Sequence, residues 1–65
     1  MDHASRIAFI YAMIANAQAT IAGMQAENQH RIQRDESLAY LEADFEQVPV
    51  TYGITHNQVI EYLRE

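Results

Sequence analysis

Ile7 to Ala26 reads IAFIYAMIANAQATIAGMQA, twenty consecutive residues without a charge in a chain of 65. Two stripes run through it. Ile7, Ile10, Ile14, Ala17, Ile21 and Met24 recur at steps of three and four, the spacing of one helix face. Ala8, Ala12, Ala15, Ala19, Ala22 and Ala26 recur the same way on a neighbouring face. The stretch therefore predicts the first two thirds of a long helix, and nothing else in the chain is large enough to serve as its centre.

The length fits one domain, residues 1–65. So short a chain buries a small share of its surface and needs added support. With no cysteine, disulfides and thiolate zinc sites are excluded. Close helix packing, a histidine–carboxylate metal site or self-association remain. Nine acids against four arginines give a net charge of −5, and there is no lysine. That balance suits a basic protein surface better than nucleic-acid phosphates.

A twenty-residue uncharged run also has the length of a membrane span. Asn16, Gln18, Gln25 and the many alanines weaken that reading. Arg6, the apolar run to Ile14 and Ala15-Asn16-Ala17 imitate a signal peptide, but Asp2 disturbs its positive end. The expectation is a soluble, cytoplasmic core helix.

Asp2 or Ser5 is placed to cap that helix. Gly23 is a weak point or a close crossing. Polar residues from Gln25 to Arg34 mark a solvated last third, with a turn near Arg34. A second helix is expected to start at Asp35-Glu36-Ser37, with Leu38, Leu41, Phe45 and Val48 as its apolar face. Pro49 should end it, leaving residues 48–52 extended or irregular. Thr55 followed by Gln58 is a capping box, and Ile54 with Val59 is a hydrophobic staple. A third helix is thus expected from His56 to about Arg64, burying Val59, Ile60 and Leu63. The predicted fold is all-α: a small three-helix domain with one long N-terminal helix and two shorter helices packed on it. The isoleucine stripe should hold those two, and the alanine stripe should face a second copy in a homodimer.

Catalytic patterns are sparse. Glu27 and His30 form an E-x-x-H pair like that of di-iron bundles, in a solvated part of the helix. His3, His30 and His56 do not share metal-ligand spacing. Ser5 and Ser37 lie in no nucleophile motif, and two glycines build no phosphate loop. An enzyme, a metal and a cofactor are not expected. Tyr52-Gly53-Ile54-Thr55-His56-Asn57-Gln58 looks like the turn and reading helix of a helix-turn-helix. Against it stand Pro49, the acids Glu61 and Glu65 beside a single Arg64, and the acidic balance of the chain. A DNA-binding regulator using the last helix is therefore the alternative function.

The strongest charge asymmetry is Asp35, Glu36, Glu42, Asp44 and Glu46, five acids within twelve residues and no base among them. Tyr40 lies in the same segment and supplies an anchor-type aromatic. These six are the expected partner-binding residues, facing an arginine- or lysine-rich protein surface.

MQAENQHRI, the DESLAYLEADF segment and the closing YGITHNQVIEYLRE give the chain a likeness over its whole length. In size, helix order and charge it resembles the compact acidic helical anti-CRISPR proteins encoded by phages, among them those acting on type I systems. The resemblance implies a non-enzymatic inhibitor that binds a Cas protein in a bacterial cytoplasm. A charge of −5 is mild for a full DNA mimic, so the implied mode is specific docking.

Overall fold

The computed structural model describes residues 1–64; Glu65 lies outside the described residues. The order is α1 (His3–Gln33), α2 (Glu42–Thr51) and α3 (His56–Leu63), with no strand among the described residues. The long helix is present as the apolar stripes predict. Asp2 caps it, its carboxylate accepting from the Ser5 N–H at 2.7 Å. Gly23 does not break it, and a Cβ built there meets nothing within 4 Å. Gly23 is thus a tolerated weak point rather than a contact within the chain.

The end of α1 corrects the expected start of the second helix. Asp35 adopts φ 58°, the left-handed region. The Asp35 N–H reaches the Ile32 carbonyl at 3.1 Å, and the Glu36 N–H reaches that of Arg31 at 2.8 Å. This is a Schellman closure. Asp35-Glu36-Ser37 therefore ends one helix instead of starting another. The next residues are then held away from helical geometry by α1 itself. The Asn28 side-chain oxygen accepts from the Ala39 and Tyr40 N–H groups at 3.1 and 3.0 Å. Its side-chain nitrogen donates to the Tyr40 carbonyl at 2.9 Å.

So α2 begins only at Glu42, where the Asp44 carboxylate accepts from the Leu41 N–H at 2.8 Å. Leu38 and Leu41 fall outside it and stay exposed, while Phe45 and Val48 pack. Pro49 does not end the helix either. It lies inside α2, which continues to Thr51, and residues 48–52 are not extended. Two features make this tolerable. Val48 is buried and holds that turn against α1. A second Schellman closure then takes up the Pro49 carbonyl, which accepts from the Ile54 N–H at 2.9 Å. Gly53, at φ 71°, supplies its left-handed residue.

Helix α3 follows its local signature. Gln58 accepts from the Thr55 N–H at 3.2 Å and from the Thr55 hydroxyl at 2.7 Å. Val59 and Leu63 are half-buried, but Ile60 is exposed, contrary to expectation.

The three-helix count becomes two in the packing. Joined through Gly53, α2 and α3 form one bent arm that returns antiparallel along α1. Each packs on α1 and, among the described residues, neither packs on the other. The result is a rod of 50 × 17 × 11 Å. Among the described residues, only Ala17, Met24 and Val48 are buried, at 4, 8 and 5 % exposure, with Ile21, Tyr40, Phe45, Tyr52 and Ile54 packed around them. The far end is closed by Arg6. Its guanidinium donates to the Tyr62 and Arg64 carbonyls, both at 3.1 Å, at the C-terminus of α3. Phe9 stacks on Tyr62 beside it, with centroids 5.5 Å apart.

Candidate functional site

Helix α1 presents two unlike faces. The isoleucine stripe meets the arm: Ala17 and Met24 are buried, and Ile10, Ile14 and Ile21 are half-buried. At 100° per residue the alanine stripe lies nearly opposite it, rather than on the neighbouring face expected from the sequence. Ala8, Ala12, Ala15, Ala19, Ala22 and Ala26 are all exposed. Helices of soluble proteins place charged side chains on this face, yet no charge occurs between Ile7 and Ala26. Tyr11, at 69 % exposure, stands at its edge. An apolar groove between α1 and α3 is lined by Ile7, Ile10, Tyr11, Ile14, Val59 and Leu63, so Tyr11 stands between this groove and the alanine stripe.

By length and composition alone α1 is long and apolar enough to cross a membrane. The arm opposes this in the folded state. It lays Glu42, Asp44 and Glu46 beside the middle of α1 through the Phe45 and Val48 contacts. A spanning α1 must shed the arm, since charged side chains at bilayer depth are costly. The packed hairpin and a membrane span are therefore mutually exclusive states.

The six expected partner-binding residues divide by role. Asp44 is engaged as the cap of α2. Glu36 pairs with Arg34 at 3.1 Å, and Asp35 forms the left-handed turn. Tyr40 is half-buried against the core, its backbone bound by Asn28. Glu42 and Glu46 remain. They are exposed one turn apart on α2, with no cationic partner among the described residues. The sequence pattern showed the acids but not these structural duties, because capping by Asp44 depends on where α2 begins.

The bases show the opposite distribution. Arg31 pairs with Glu27 at 3.0 Å, Arg34 with Glu36, and Arg64 with Glu61 at 3.2 Å. Arg6 is bound to the end of α3. All four arginines of the chain are engaged internally, which leaves little to meet phosphates. On α3, Gln58 is used by its cap, leaving His56 and Asn57 exposed. Glu27 of the E-x-x-H pair is the partner of Arg31, and no cluster of three metal-ligating side chains occurs among the described residues.

Of the other aromatic residues, Tyr52 and Tyr62 are half-buried. The Tyr52 and Thr20 hydroxyls hydrogen-bond at 2.7 Å across α1 and α2. Tyr11 is the exposed tyrosine of the four. The acidity of Asp2 is raised by its capping role. The Ser5 backbone N–H, helped by the Ser5 side chain, holds its carboxyl below the ordinary value.

No protein-family model, no curated protein and no solved structure matches this chain.

Proposed function

We propose that the chain is a non-enzymatic, cytoplasmic protein-binding factor of phage type, an inhibitor or accessory protein. In its most specific form the reading is an anti-CRISPR protein that docks on a basic surface of a Cas complex. The observation that supports it is the partition of charge. Every arginine has a partner within the chain, whereas Glu42 and Glu46 are presented outward without a base among the described residues. Such a surface selects a cationic protein partner by electrostatic complementarity.

The test is a double variant, Glu42→Ala with Glu46→Ala. Asp44 is spared because replacing it would uncap α2. The variant should keep its helicity but lose protection of a CRISPR-targeted phage by at least about tenfold. Undiminished protection would remove this surface from the account, and no protection by the unmodified protein would remove the anti-CRISPR reading.

The alternative, a DNA-binding regulator using α3, has the exposed His56 and Asn57 at the start of that helix in its favour. A gel shift at low salt separates the two. We expect no retardation of any duplex.

A further inference from the structure

The uncharged face of α1 goes beyond the acidic surface, and its occupant follows from area and charge. A compact monomer of this mass exposes about 4,250 Å², whereas this chain of 7.5 kDa exposes 4869 Å². The excess is about 600 Å², close to the roughly 800 Å² that each partner contributes to a standard interface. The radius of gyration, 15.1 Å, likewise exceeds the about 11 Å of a compact chain of this length. Both values mark an elongated chain whose surplus surface is close to one partner's share of a standard interface.

Charge then chooses the partner. The chain carries −5, so a copy approaching any acidic face is repelled. Between Ile7 and Ala26 there is no charge to repel it and none to attract a cationic protein. Tyr11, at the edge of the face, gives it one large exposed side chain, and the alanines let a second backbone come close.

We infer that a second copy of this chain docks on this face, α1 against α1, in an antiparallel two-fold pair centred near Ala15. A two-fold interface must be self-complementary. Centring on Ala15 meets that condition, because Tyr11 then falls opposite Ala19 of the second copy and Ala8 opposite Ala22. Each exposed ring is received by a small residue, and each copy supplies both knob and hole. The pair buries the one long uncharged surface and leaves Glu42 and Glu46 outward on both copies. It does not depend on what those acids bind.

Two variants test the pairing. Ala15→Cys should cross-link to itself almost completely under mild oxidation, since a symmetric pair brings the two Cα atoms within disulfide range. Asn57→Cys, exposed on α3 and outside the seam, should not cross-link under the same conditions. Ala19→Glu should weaken association at least about a hundredfold by burying an unpaired charge. Efficient linking of Asn57→Cys but not Ala15→Cys would overturn the proposal. So would a dimer unaffected by Ala19→Glu, or flotation of the unmodified protein with phosphatidylcholine vesicles in place of dimer formation. If Ala19→Glu unfolds, the cysteine pair decides alone.

Discussion

Asn28 and Tyr40 are joined in both directions through one side chain. The Asn28 carboxamide accepts from the Tyr40 N–H at 3.0 Å and donates to the Tyr40 carbonyl at 2.9 Å. A third bond, from the Ala39 N–H, completes the clamp. This clamp fixes where the arm turns back and, with the Asp44 cap, where α2 begins. Asn28→Ala should cost about 2 kcal/mol, from three partly buried bonds of modest net worth each. Asn28→Asp should also destabilise, because a carboxylate has no donor for the Tyr40 carbonyl. Urea unfolding of both variants measures this, and an Asn28→Asp variant as stable as the parent would contradict the clamp.

Gly23 offers a gain rather than a loss. A Cβ at this position meets nothing within 4 Å, and the backbone is helical. Gly23→Ala should therefore stabilise the chain by about 0.5–1 kcal/mol, through the smaller entropy of the unfolded state. A thermal melt checks it. A loss of stability would show that something outside the monomer presses on Gly23.

Pro49 is the strained element of α2. Inside a helix, proline removes the hydrogen bond to the carbonyl four residues back, here that of Phe45, and crowds it. Pro49→Ala should restore that bond and raise stability by about 1–3 kcal/mol. The carbonyl that accepts from Ile54 is unchanged by the substitution, so the turn at Gly53 should persist. Circular dichroism and denaturant unfolding report both effects.

Asp2 should make the first turn of α1 sensitive to acid. Its carboxyl is held below the ordinary 3.8 by the Ser5 N–H. A carboxylate depressed in the folded state contributes its stabilisation above the unfolded value. The contribution is lost as the pH falls through the lower folded value. The Ser5 amide shift in NMR should therefore titrate with a midpoint below 3.8. A midpoint at or above it would show that the cap is not formed.

Legibility in the sequence followed the range of each interaction. Helix α1 and the start of α3 were readable because their determinants are local: two stripes of helical spacing, and Thr55 with Gln58 three residues on. The two stripes were readable for the same reason, but the expectation of neighbouring faces missed their placement on nearly opposite sides of α1. The start of α2 was not, because it is set by Asn28, eleven residues before the first backbone group that it holds. Nor does local preference place Asp35, a non-glycine residue, in the left-handed region. The extent of α2 past Pro49 likewise depends on the burial of Val48 against α1. The acidic cluster was visible as composition, but only Glu42 and Glu46 have no structural duty within the hairpin.

The central claim is that the hairpin is half of an assembly whose other half covers the uncharged face of α1. Sedimentation equilibrium of the unmodified protein at tens of micromolar tests it most directly. The account predicts a single species of twice the 7.5 kDa chain mass. A stable, helical species at the mass of one chain over the whole concentration range would contradict it.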